Sequence, residues 1–302
     1  MTVSHGRSAQ ASGAAPALQA CPDGGSPPRY DSKAAWLVSA VAIALVLVAA
    51  VLHAGWNLLL HDVDDRHASL AVAGFVIGVV SLPAVLLDPP TRVLGLVALS
   101  VLTHTAYVTL LSAAFEHGSL TIAYPLARGT SPLLVTLGGW LVLSEQPTYL
   151  AITGAILLGL GLALVGGAGR RLDQGTAVVF ALLTGTSIAA YSLIDASAVR
   201  QTGPWGYVGV TELLVGVMML VAIGADTRRL RSSIRPGILI GIGSLGAYLL
   251  VLLAFQRANA GQVSTLRETS VLIGMVASKE ATGPVVVIGS VLVVAGAVLA
   301  AL

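Results

Sequence analysis

Ten apolar runs, each 17 to 25 residues long, follow one another along this chain with short polar gaps between them. They cover 36–60, 68–87, 93–114, 119–143, 149–167, 176–198, 204–224, 237–258, 262–278 and 284–302. About 20 consecutive apolar residues make a helix long enough to cross a bilayer. The runs do not alternate apolar with polar, so helices rather than barrel strands are predicted. Only 10% of the residues are charged, against roughly a quarter in a soluble domain. An all-α polytopic membrane protein with ten transmembrane helices is therefore expected, with no soluble domain between the spans. Residues 1–33 differ in kind: they are rich in Ala, Gly, Ser and Pro, lack the apolar core of a signal peptide, and predict a disordered tail.

The two halves of the series resemble each other. Arg128-x-Thr130-Ser131 is matched by Arg267-x-Thr269-Ser270 at an offset of 139 residues. Ser144-Glu145 is matched by Lys279-Glu280, and Gly154 by Gly289, at an offset of 135. Ala114-Phe115 and Ala254-Phe255 close the third and eighth runs alike. The drop in offset removes about one helical turn from the ninth run, so a short ninth helix is expected. Five runs per copy is an odd number, which makes the second copy enter the membrane from the opposite side. The expected domains are the tail, a first five-helix repeat over 34–168 and an inverted second repeat over 169–302. Inverted repeats are a transporter architecture, with the substrate site between them near the midplane. Lysines and arginines near the run ends divide five against eight, with fewer on the side of the N-terminus. The positive-inside rule then places the N-terminus outside.

An arginine in mid-membrane costs roughly 3 kcal/mol or more, and this chain carries two, Arg128 and Arg267. Arg128 lies in 123–132, Ala-Tyr-Pro-Leu-Ala-Arg-Gly-Thr-Ser-Pro. Pro125 and Pro132 remove backbone donors and predict a kinked fourth helix; Ser264 and Val271 replace them in the second copy.

Spacings of three and four gather polar side chains on one helix face in six runs. The first has His53, Asn57 and His61 with Trp56 beside them; the third has Ser100, His104 and Tyr107; the fourth has Thr121, Tyr124, Arg128 and Ser131. The sixth has Thr184, Ser187, Tyr191 and Asp195, the eighth Ser244, Tyr248 and Gln256, the ninth Ser264, Arg267, Glu268 and Ser270. Polar faces in a bilayer turn to protein or water, so these six helices are predicted to line a central cavity. The other four should pack outside, with Glu212 in the seventh as the exception. Small residues such as Gly159, Gly161 and Gly289 predict close helix packing, within the chain or in a homodimer.

Blander readings compete. Serines and threonines in helices often bond back to their own carbonyls. Trp36, Trp140, Tyr149 and Trp205, near run ends, suit interface anchors. The arginines can be structural ion-pair members with Asp195, Glu212 or Glu268. Only Arg267 has an adjacent acid, Glu268, which makes it the structural candidate and Arg128 the predicted substrate contact. Asp195, Glu212 and Glu268 are candidates for carrying a coupling proton.

With these residues in view, the chain resembles the EamA-like family of the drug/metabolite transporter superfamily. The resemblance rests on His53-Ala-Gly-Trp-Asn57, on 123–132, on Leu266-Arg-Glu-Thr-Ser270, on Ser144-Glu145 and on Ala190-Tyr191 with Asp195. It covers about 36–302. It implies two inverted five-helix repeats that move a small metabolite by alternating access, usually outwards, with the six polar-faced spans around the cavity. It also implies a multi-pass protein of the cytoplasmic membrane with both termini inside, against the charge count. The substrate-pathway residues are then His53, Trp56, Asn57, His104, Tyr107, Tyr124, Arg128, Tyr191, Tyr248 and Arg267.

No paired aspartates in a Gly-x-Gly-Asp setting and no His-Glu-x-x-His occur, so no enzyme is predicted. The lone Cys21 has no metal-site neighbours, and neither metal nor cofactor is expected. No basic patch with interleaved aromatics suggests nucleic acid. The short ninth helix keeps a non-transporting partner or sensor protein in view as the alternative.

Overall fold

The computed structural model describes residues 32–117, 120–167, 175–278 and 283–302, the side chains of 32–39, 115–116, 120–124 and 276–278 excepted. The tail over 1–33, but for its last two residues, and the junction near 168 between the expected halves lie outside the described residues. The helices are α1 (Ser32–His61), α2 (Arg66–Leu87), α3 (Leu94–His117), α4 (Leu120–Val142), α5 (Tyr149–Gly167) and α6 (Gly175–Val199). They continue as α7 (Pro204–Ala222), α8 (Thr227–Ser232), α9 (Ile234–Phe255), α10 (Ala260–Arg267), α11 (Thr269–Ser278) and α12 (Pro284–Ala301). Among the described residues, eight helical segments are long and apolar enough to cross a membrane. The chain has the character of a polytopic all-α membrane protein.

Two local features differ from the sequence reading. The six-residue α8 was not foreseen, because Thr-Arg-Arg-Leu-Arg-Ser offers no apolar run. It is nucleated by Asp226, whose carboxylate accepts from the Arg228 and Arg229 N–H groups, a standard N-cap. The ninth run is two helices, α10 and α11, rather than one short helix. At Glu268 the backbone tightens: its N–H bonds Thr265 O at 3.3 Å, and Val271 N–H bonds Glu268 O at 3.1 Å. Such i→i+3 turns inside helices mark hinge positions. α4 runs as one helical segment with both Pro125 and Pro132 inside it.

The exterior is apolar. Val48, Val51, Val79, Leu86, Leu102, Leu141, Val287 and Val291 are all exposed, as lipid contact requires. Trp140, Tyr149 and Trp205 are exposed near helix ends, where interface anchors sit. Inside, α2 packs along α7, α5 along α12, α3 along α6 and α1 along α9. α4 lies against α5 and α6, and α10 against α4 and α1.

Glycines set the closest crossings. A Cβ at Gly161 would stand 2.6 Å from Gly289 O on α12, and one at Gly154 2.5 Å from Gly296 O. On the other side, Gly74 of α2 meets Gly216 of α7, and Gly78 meets Leu213. Gly159 faces Gly129 of α4. These small-residue faces are thus used within one chain. Overpacking a tight contact costs about 1–3 kcal/mol. Gly161→Val should therefore lower the thermal midpoint of the purified protein in detergent. Gly55→Ala, with nothing within 4 Å of the added carbon, should leave it unchanged or raise it slightly.

Candidate functional site

The two buried arginines meet on a single carboxylate. Arg128 on α4 donates from Nη1 to Glu268 Oε2 at 3.0 Å. Arg267 donates from Nε and Nη2 to Glu268 Oε1, both at 3.2 Å. All three side chains are at most 2% exposed. Arg128 Nη2 also lies 2.5 Å from His53 Nε2 on α1. A guanidinium only donates, so His53 Nε2 accepts and this histidine is the neutral Nδ1–H tautomer. The expectation that Arg128 lacks an acidic neighbour is therefore corrected. Its neighbour comes from 140 positions along the chain, brought in because α10 packs against α4.

Asp195 solves the same problem without a cation. It is fully buried and takes hydrogen bonds from Ser100 Oγ at 2.6 Å, from Tyr207 OH at 2.6 Å and from Tyr248 OH. Three hydroxyl donors from α3, α7 and α9 satisfy the carboxylate, as a buried charge demands. Ser100 Oγ is also 3.2 Å from His104 Nδ1. The His104 ring stacks on Tyr191 with centroids 3.9 Å apart, and Tyr248 meets its edge at 5.6 Å. The Arg267 guanidinium lies 6.0 Å from the Tyr191 centroid, within cation–π range.

Between these clusters lies a cavity of about 80 Å³. Since one water needs roughly 10–15 Å³ on the same measure, several waters or a small solute fit. Of the predicted pathway residues, His53, Trp56, His104, Tyr191, Tyr248 and Arg267 line it, together with Glu212. Arg128, Asn57 and Tyr107 are not on its wall. Arg128 is turned to Glu268 and His53, Asn57 Nδ2 bonds back to His53 O at 2.7 Å, and Tyr107 packs edge-on against Tyr191. The side chain of Tyr124 lies outside the described residues. α2 and α7, expected outside, both contribute wall residues, Leu70 and Ile77 from one and Val208 and Val215 from the other. An apolar cavity wall has no polar stripe to betray it. α4, expected to line the cavity, contributes none among the described residues.

The ends of the bundle are tied by ion pairs. At one end Glu145, just after α4, accepts from Arg200 Nη2 at 2.5 Å and from Ala260 N at 2.9 and 3.0 Å. Arg200 also donates to Phe255 O and Ala258 O. Glu145 is aimed by Ser144, a non-glycine at φ 56°, whose left-handed turn ends α4. Its carboxylate serves the first turn of α10, where Asn259 supplies no side-chain cap and negative charge is favoured. Tyr207 and Arg200 were missed in the sequence because each stands alone near a run end, and Glu145 was singled out only as part of the Ser144-Glu145 repeat, with no partner assigned. At the opposite end, Arg229 of α8 donates to Asp65, the N-cap of α2, at 2.6 and 3.0 Å.

No protein-family model matches the chain, and no curated protein is similar to it in sequence. A solved structure, described only as the crystal structure of a protein, shares the fold with a TM-score of 0.66. It is 18% identical, and the match covers 89% of this chain and 96% of that one. At that identity the likeness shows the fold alone. Fold and interior together define a polytopic helical protein with a charged cluster beside a cavity.

Removing Glu268 leaves two buried arginines short of their acceptor. Breaking a buried pair from one side costs about 3–5 kcal/mol, so Glu268→Gln should sharply lower the thermal midpoint in detergent. Asp65 behaves differently. The hydrogen bond from Arg229, helped by Ala68 N–H and partly offset by burial, holds its carboxyl below the ordinary aspartate range. Its folded-state affinity for a proton is lowered, so its contribution is complete above an unfolded aspartate's pKa and is lost as pH falls through the folded value. The midpoint of the wild type should therefore fall more steeply below about pH 4 than that of Asp65→Asn.

Proposed function

We propose that this chain is a secondary transporter of the EamA-like kind, moving a small polar or amphipathic metabolite by alternating access, outwards across the cytoplasmic membrane. The observation that carries the reading is the cavity itself. It sits amid helices from both halves and is bordered by Arg267, whose charge is shared through Glu268 with Arg128. Charged side chains at membrane depth beside a cavity mark substrate or ion pathways.

Ten spans in two inverted repeats are part of the proposal, and the packing supports them. Gly74 meets Gly216, and the residues 135 positions away from each, Gly209 and Ser81, also meet. Gly154 meets Ala300 while Gly289 meets Val165, again exchanged by 135. Gly78 and Leu213 are themselves 135 apart and touch. One constant shift that swaps contacts is what a two-fold relation between halves produces. The pairing of α3 with α6 and of α1 with α9 obeys the same exchange. The break between α10 and α11 at Glu268 supports the reading too, since transporter sites are commonly built on discontinuous helices.

The test is counterflow in proteoliposomes, with amino acids, phosphonates, nucleobases and organic cations first screened for thermal stabilisation. The wild type should exchange at least one hit. Arg267→Ala strips Glu268 of one of its two guanidinium partners beside the cavity and should reduce exchange by roughly tenfold or more, about the value of one charged hydrogen bond, while still inserting and eluting as a single species. A wild type that moves no screened compound would sink the reading.

A further inference from the structure

Among the described residues, the charges inside the bundle do not balance one another. Arg128 and Arg267 share Glu268, Asp195 is held by hydroxyls, and Glu212 stands in the middle of α7. At formal charge, two guanidiniums face three carboxylates, which leaves the interior one negative charge in excess. Glu212 carries that excess. It lines the cavity with His104 as an electrostatic neighbour but makes no hydrogen bond or ion pair with any described residue. A carboxylate at membrane depth with no cation paired to it is costly.

Its position is also firmly set. Glu212 O lies against Gly74, where a Cβ would come within 2.5 Å, so the tightest crossing of α2 and α7 fixes the backbone from which the carboxyl projects. Trp56, Tyr191, Tyr248 and Ser244 share the cavity with it. Aromatic rings attract cations as well as carbon chains. Arg267, the other charged wall residue, already has two of its donors on Glu268.

We infer that Glu212 is the recognition carboxylate for a small organic cation. The ammonium group of the ligand seats on Glu212, and its carbon chain lies against Trp56, Tyr191 and Tyr248. This names the substrate class of the proposed transporter and rests on that reading only for the transport step, not for binding. The cavity volume of about 80 Å³ limits the ligand to a few non-hydrogen atoms unless the walls move.

The probes are n-butylammonium and butyrate, which share a short chain and differ in charge, added at millimolar concentration to the full-length protein in detergent. Thermal shift and calorimetric titration should show binding of n-butylammonium and not of butyrate. Glu212→Gln should weaken n-butylammonium at least about tenfold, while Asp65→Asn, which does not line the cavity, binds as the wild type does. A second measurement needs no variant. In the wild type, n-butylammonium but not butyrate should slow modification of Glu212 by dicyclohexylcarbodiimide, read by mass spectrometry. Preference for butyrate, no binding of n-butylammonium, undiminished binding in Glu212→Gln, or equal carbodiimide rates with both probes overturns the inference. The two readings fail separately. Cation binding without counterflow would remove the transporter, and counterflow of an anion with no cation binding would remove the role of Glu212.

Discussion

Glu268 is the acid on which both buried arginines meet among the described residues. Each guanidinium brings five donors and no acceptor, and hydrocarbon offers nothing to receive them. Glu268 answers with one oxygen for each arginine, and His53 supplies a further acceptor. The cluster joins α1, α4 and the junction of α10 with α11, three elements with little else polar in common. It also explains why that junction is where it is. A carboxylate that must reach sideways to Arg128 and back to Arg267 sits at a tightened turn more readily than in a uniform helix. The counterpart of Glu268 in the first half, at the offset of 139, is Gly129. There a Cβ would already press on Leu162 and Gly159. The two halves therefore share the arginine but not the acid, and the asymmetry is built into the packing.

Two kinds of contact divide the interior between them. α2 with α7 and α5 with α12 approach through glycines, so backbone touches backbone and dispersion holds them. A second kind is polar: an ion pair joins α4 to the α10–α11 junction, hydroxyls of α3, α7 and α9 hold Asp195 of α6, and the His104 ring of α3 stacks on Tyr191 of α6. Contacts of the first kind do not change without large strain. Those of the second kind can exchange partners, since a hydroxyl or guanidinium has more than one acceptor within reach. The cavity lies where the two kinds adjoin: Gly74 and Glu212 on one wall, Arg267 and Tyr191 on another.

Much of this was legible in the residues alone. Apolar runs of bilayer length leave a chain few alternatives, which is why long helices appear where expected. The polar stripes on the first, third, sixth, eighth and ninth runs were legible because period 3.6 brings His53 and Trp56, or Tyr191 and Asp195, to one face. What could not be read was which stripe meets which. The reach of Glu268 to Arg128 depends on helices far apart in sequence, and the adjacency of Glu268 to Arg267 pointed to only one partner. Leu70 and Ile77 are indistinguishable from lipid-facing residues until α7 is placed opposite them. α8 was hidden for the reverse reason: a six-residue helix held by one aspartate cap has no periodicity to detect.

The carboxylate of Glu145 has a consequence for how this molecule spends its time. It is simultaneously the counter-ion of Arg200 and the substitute for a missing helix cap on α10. Any state in which that end of the bundle parts must strand a carboxylate, a guanidinium and the first amide of α10 together. The three groups therefore part together or not at all. If the chain works by the proposed alternating access, that coupling would favour the form closed at this end, and a solute would reverse it only by the difference in its affinity for the two forms.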